Sequence, residues 1–229
     1  REKGLPLVNI AQPFKSSGMM LTCRKDMGVN TTADLKGKTL GVWFYGNEYP
    51  FLSWMSRLGL KTDGSANGVT VLRQGWGVEP LTEGQAACVS TMSYNEYWVV
   101  RDAGYSPEQL TVFKYQSEGA ATLEDGLYVH EKNLSDAAFK DKMVRFVRAS
   151  MKGWKYAEAN PKEAAMIILD NDDAGVQTEK HQVRMMGEIA KLTAGSNGSL
   201  DPADYERTVK VLMSGDSDPV ITKKPSGAW

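Results

Sequence analysis

The sequence predicts a mixed α/β fold. Three observations carry the prediction. Strand-like and helix-like segments alternate from about residue 38 to residue 115, the later half turns to long amphipathic helices, and no apolar run nears the ~20 residues that span a bilayer.

The elements follow in order. Arg1, Glu2, Lys3 and Gly4 read as the frayed end of a helix closed by a glycine stop. Leu7 to Ala11 is a short apolar strand after Pro6, and residues 18–23 form a second. Thr31, Thr32 and Asp34 supply capping groups for one short helical turn. Residues 38–44 are β-branched and aromatic, hence a strand, broken by Gly46 and Asn47. Phe51, Leu52, Trp54, Met55 and Leu58 recur at helical spacing and end at Gly59. Strands are expected over residues 69–72, 87–91 and 110–115, with helices over 80–85 and 95–103 between them. That alternation predicts a sheet with parallel pairs. A further strand covers residues 127–130. Beyond it, Phe139, Met143, Phe146, Val147 and Trp154 form an apolar stripe on one long helix. Pro161 and Pro202 suit the first turns of later helices, with another helix over 178–192. The ending, residues 219–229, is irregular and is expected to wrap over a surface or fray.

Composition narrows the function. Of 229 residues, 41% are hydrophobic and 24% charged, which excludes wholesale disorder. Lys+Arg 27 against Asp+Glu 28 leaves a net charge of -1, so no global field attracts nucleic acid or an anionic membrane. Cys23 and Cys88 sit in apolar flanks and read as two buried core thiols, and two cysteines do not fix the compartment. Arg1 is not an initiator residue and no charged-then-apolar leader follows, so the chain reads as beginning inside a fold.

Catalytic signatures are missing. The chain has no phosphate loop, no Gly-x-Gly-x-x-Gly and no Gly-x-Ser-x-Gly elbow. His130 and His181 stand apart from any second histidine at metal-binding spacing, and each is assigned a satisfied structural or surface role. Residues 170–175 resemble a calcium loop but lack its closing glutamate, so they read as a solvated turn. No catalytic residue, metal site or cofactor is expected.

What remains is a set of polar and aromatic residues at strand ends. Ser16 and Ser17 precede one strand. Tyr45, Gly46, Asn47, Glu48 and Tyr49 follow another. Ser93, Tyr94, Asn95, Glu96, Tyr97 and Trp98 follow a third. In open α/β sheets ligands sit beyond the carboxyl ends of strands. Rings offer flat faces, and carboxylates accept hydrogen bonds from ring amino groups. The competing reading has Asn47 and Asn95 capping helices while Tyr94 and Trp98 pack the core.

These residues carry a resemblance. The stretch Gly37 to Pro50, the segment Tyr94-Asn95-Glu96-Tyr97, residues 122–128, residues 149–154, Asn160-Pro161 and the closing Gly227-Ala228-Trp229 resemble ABC-transporter solute-binding proteins of the thiamine-pyrimidine-precursor family. The resemblance covers essentially the whole chain, and its most specific parts are Gly-Asn-Glu-Tyr and Tyr-Asn-Glu-Tyr. It implies a two-lobed, type II periplasmic-binding-protein-like α/β fold, with the first lobe incomplete at the N-terminus. Residues 1–34 and 119–229 would form lobe 1, and 35–118 an inserted lobe 2. It implies capture of a planar heterocycle by hinge closure. The ligand would be formylaminopyrimidine, hydroxymethylpyrimidine or, in some relatives, riboflavin, delivered to a membrane ABC permease. Ligand-contact candidates are Ser17, Trp43, Asn47, Glu48, Trp76, Tyr94, Asn95, Glu96 and Glu124. The protein would act as a monomer, periplasmic or anchored outside the membrane, without cofactor. The alternative is a pyridoxal-phosphate-using enzyme like fungal relatives that make the thiamine pyrimidine. Those need a cysteine-rich iron site that two isolated cysteines do not supply. A sensor module on the same fold is a third class, and the ending at Trp229 with no following transmembrane segment favours a free receptor.

Overall fold

The structure is a computed structural model, and it describes residues 4–214 and 219–229. The expected helix end at Arg1, Glu2 and Lys3 lies outside the described residues. The chain divides into two compact units. One combines the chain up to Ser17 with Leu123–Arg207 and Ile221–Trp229, and the other combines Gly18–Thr122 with the chain from Thr208 to Val220.

The second unit is built on a five-stranded sheet. Its strands are β2 (Met19–Arg24), β3 (Thr39–Val42), β4 (Thr70–Arg73), β5 (Cys88–Met92) and β6 (Leu110–Lys114), in the order β4-β3-β5-β2-β6. β3 pairs in parallel with β4 and β5, as the alternation predicts. β2 lies between β5 and β6, antiparallel to both. That pairing corrects the expected lobe boundary. Residues 18–34 belong to this unit and not to the first, because five consecutive β2 residues pair with β5. Residues 119–122 and the chain from Thr208 to Val220 belong here as well.

The sheet is covered on both faces. Leu21, Leu35, Leu40, Val42, Phe51, Trp54, Met55, Val69 and Tyr115 form one buried cluster. Helix α1 (Glu48–Arg57) supplies Phe51, Trp54 and Met55 at the spacing read from sequence. Trp54 packs its ring 5.7 Å from Phe113 and 5.5 Å from Tyr115. On the other side α2 (Glu79–Thr82) and α3 (Glu96–Asp102) contribute Leu81 and Val100 to a cluster with Val78, Ala86, Val89 and Leu110. Gly41 in β3 is a packing requirement. A Cβ there would stand 2.9 Å from Val89 Cγ1 and 3.3 Å from Gln74 Oε1.

The two cysteines overturn the thiol reading. Cys23 in β2 and Cys88 in β5 are directly opposed, with Cα atoms 3.9 Å apart, and are joined as a disulfide with no solvent exposure. The residues are 65 apart in sequence, so only the strand register brings them together.

The first unit has a two-stranded antiparallel sheet, β1 (Leu7–Ala11) with β7 (Leu127–His130), and helices α4 (Ala137–Ala159), α5 (Pro161–Asp170) and α6 (Glu179–Thr193). Asp136 caps α4 by accepting from the Ala138 N–H at 2.8 Å, and Thr178 caps α6 through the His181 N–H. The stripe on α4 is only partly covered: no residue of that helix is fully buried, Phe146 is exposed, and Trp154 meets Phe14 edge-on at 5.7 Å. The boundary between units falls within α7 (Pro202–Met213). The C-terminal segment wraps and does not fray. Asn9 N–H donates to Ala228 O at 2.8 Å, and Tyr205 Oη donates to Pro225 O at 2.9 Å.

Candidate functional site

In the second unit, the carboxyl ends of the three parallel strands enclose a pocket of 430 Å³. β3 leads into Trp43, Phe44, Tyr45 and Asn47. β4 ends at Arg73 and leads into Gln74, Gly75 and Trp76. β5 ends at Met92 and leads to Glu96. Four of these wall residues are aromatic, and one carries a carboxylate.

Each wall has a local cause. Gly46 takes φ 113°, and Tyr45, unusually for a residue with a side chain, takes φ 64°. That turn lifts the Tyr45 ring into solvent, 91% exposed. The Glu48 carboxylate accepts from the Gly46 N–H at 2.7 Å and so braces the turn. Trp43 Nε1 donates to Gly75 O at 2.9 Å, tying the end of β3 to the loop after β4. Gln74 is buried and acts as a piece of backbone: its Oε1 accepts from Ser90 N–H at 2.8 Å, and its Nε2 donates to Ser90 O at 3.0 Å and Gly77 O at 3.1 Å. Trp76 lies beyond it, 95% exposed.

Glu96 opens α3. One carboxylate oxygen accepts from Met92 N–H at 2.9 Å and the other from Asn95 Nδ2 at 2.8 Å. Burial raises its pKa above the usual carboxylate value, and these hydrogen bonds counter the rise only in part.

Of the sequence candidates, Trp43, Asn47, Trp76 and Glu96 line this pocket. Glu48, Tyr94 and Asn95 lie in the same two turns but are not among its walls. Neither Asn47 nor Asn95 caps its helix through the side chain: Asn47 Nδ2 donates to Phe44 O and Asn95 serves Glu96. Ser17 and Glu124 belong to the first unit, where the Ser17 hydroxyl donates to the Glu124 carboxylate. Sequence reasoning missed Phe44, Tyr45, Arg73, Gln74, Gly75 and Met92. The strand-end rule that selected the turns after β3 and β5 applies equally after β4, and would have found Arg73 and Gln74 beside Trp76.

His130 ends β7 with Nδ1 buried and without a hydrogen-bonding partner among the described residues, so the expected satisfied role fails at that atom. Among the described residues no group of His, Cys, Asp and Glu side chains is placed to hold a metal ion. Both cysteines are consumed by the disulfide, which leaves no thiolate to ligate iron.

A family model described as NMT1/THI5 like matches residues 1–164. The chain belongs to the NMT1/THI5-like family. A formylaminopyrimidine-binding protein of Halalkalibacterium halodurans is 23% identical over 97% of this chain and 68% of its own length. Among solved structures, a protein of Bordetella bronchiseptica RB50 matches with TM-score 0.67 at 17% identity, over 100% of this chain and 73% of that one. A periplasmic sulfonate-binding protein of Methylobacillus flagellatus KT matches with TM-score 0.64 at 13% identity, over 97% of this chain and 65% of that one. The fold is therefore that of the type II periplasmic binding proteins. Two of these matches, the formylaminopyrimidine-binding and the sulfonate-binding protein, are solute-binding proteins by name.

Proposed function

We propose that the protein is the receptor of an ABC importer and captures a planar, nitrogen-rich heterocycle of the pyrimidine class, such as formylaminopyrimidine or hydroxymethylpyrimidine. The observation that carries this reading is the pocket at three parallel strand ends, lined by four aromatic residues together with the Glu96 carboxylate. A flat ring gains apolar contact from Trp43, Phe44, Tyr45 and Trp76. Its amino group donates to Glu96, whose burial makes an added donor favourable. The H. halodurans relative, a formylaminopyrimidine-binding protein, supports the same ligand class. Riboflavin shares the flat nitrogen ring and belongs in the same test. Nothing in this reading calls for covalent chemistry. The partner is a membrane permease, and the receptor works as a monomer.

The disulfide supports a compartment outside the cytoplasm. Disulfides persist in the periplasm or outside the cell and are rare in reducing cytosol. Among the described residues, no helix is long and apolar enough to cross a membrane.

Isothermal titration with formylaminopyrimidine, hydroxymethylpyrimidine, riboflavin and an alkanesulfonate tests the reading. A pyrimidine should bind with one-to-one stoichiometry, and Glu96→Ala should weaken it by about tenfold or more. Sulfonate binding without pyrimidine or flavin binding would overturn the ligand class.

A further inference from the structure

The pocket contains a cation with no ion-pair partner among the described residues. The second unit has four arginines. Arg24 pairs with Asp26 at 2.7 Å. Arg57 donates to Gly119 O and Glu118 O, both at 2.8 Å, and Arg101 donates to Tyr105 O at 2.7 Å. Arg73, at the end of β4, has no hydrogen bond or ion pair to any described residue. Its guanidinium instead rests 4.9 Å from the Tyr45 ring centroid and 5.4 Å from that of Phe44. Glu96, the acid in the pocket wall, forms no ion pair with it among the described residues and accepts instead from Met92 N–H and Asn95 Nδ2.

We propose that Arg73 is a specificity-determining residue, and that it selects a planar amino-heterocycle bearing an oxyanion substituent, namely a phosphate, sulfonate or carboxylate. The proposal rests on the receptor reading above and adds the ligand's charge to it.

The physical case has three parts. A guanidinium held against two rings keeps its N–H edges available, and that planar fork matches two oxygens of an oxyanion. The rings also limit side-chain freedom, so less entropy is lost when the fork closes on a ligand. Finally, the pocket is bipolar by residue type: Arg73 offers only donors and Glu96 accepts. A neutral ring with an amino group uses one end of it. A ring with an amino group and an oxyanion uses both.

The test is a titration of intrinsic tryptophan fluorescence, checked by calorimetry, on the oxidised protein. The probes are hydroxymethylpyrimidine, its phosphate monoester and phenyl phosphate. The proteins are wild type, Arg73→Gln and Arg73→Lys, with far-ultraviolet circular dichroism confirming the fold of each. The monoester should bind wild type about tenfold or more tighter than the alcohol. Arg73→Gln should erase that preference, so that ester and alcohol bind the variant alike, and Arg73→Lys should restore part of it. Equal binding of ester and alcohol by wild type, or a preference that survives Arg73→Gln, overturns the proposal. Phenyl phosphate separates the two readings. If it binds in an Arg73-dependent way while neither pyrimidine binds, the oxyanion role stands and the pyrimidine reading falls. If the alcohol binds but phenyl phosphate does not and the ester gains nothing, the pyrimidine reading stands and the Arg73 role falls.

Discussion

Glu96 is placed where its own stability and its chemistry pull in opposite directions. Its folded-state pKa is raised, chiefly by burial. A carboxylate that holds its proton better in the folded state adds stability below its unfolded pKa, and loses that contribution as pH rises through the folded value. Glu96→Gln removes the titration. In thermal melts the variant should therefore gain on wild type as pH rises from 4 to 7, and a difference independent of pH would exclude burial as the dominant cause. Gln74 shows the opposite economy. Its amide replaces a strand neighbour for Ser90, whose N–H and C=O are both buried behind it. Gln74→Leu should cost about 2 kcal/mol in denaturant unfolding, because it orphans both groups. The role of Gln74 was not legible in the sequence, since a glutamine after a strand carries no sign of the backbone it will serve. Glu96 was legible, because its turn follows a strand and is crowded with rings.

At the level of elements, the link between β2 and β5 is covalent as well as hydrogen-bonded. The disulfide closes a loop of 65 residues in sequence separation. By the chain-entropy argument it disfavours the unfolded state by about 4 kcal/mol. Cys23→Ala with Cys88→Ala should lower the unfolding free energy by up to that amount. Because both sulfurs lie in the core with no exposure, reductant should act slowly on the native protein and quickly once denaturant unfolds it. Mass-spectrometric counting of labelled thiols, with and without denaturant, checks this. The elements themselves were plain in the sequence. Strands and helices fall where period and punctuation put them, since each signal is local: β-branched runs for β3 and β4, helical spacing in α1, proline at the first turn of α5. The disulfide was not plain, because it depends on a register set by pairing between distant segments. The α4 stripe shows the same limit. Its spacing made a helix, yet spacing alone does not state how much of that face is covered.

For the whole molecule, the relevant quantity is the coupling of binding to stability. A ligand that binds only the folded state at a hundred times its Kd adds about 2.7 kcal/mol. A thermal-shift series with formylaminopyrimidine should show Tm rising with the logarithm of ligand concentration above Kd. The balanced charge, 27 cations against 28 anions, gives the molecule no strong long-range field of either sign.

By itself the sequence determined the element order, the α/β class, the family, and two of the turns that border the pocket, because composition, period and short motifs are properties of neighbouring residues. Tertiary structure alone decided that β2 joins the second unit, that Cys23 meets Cys88, and that Arg73 arrives beside Tyr45 with no counter-ion among the described residues. Each of those facts is a pairing across tens of residues, fixed by which strand lies next to which, and no local pattern encodes it.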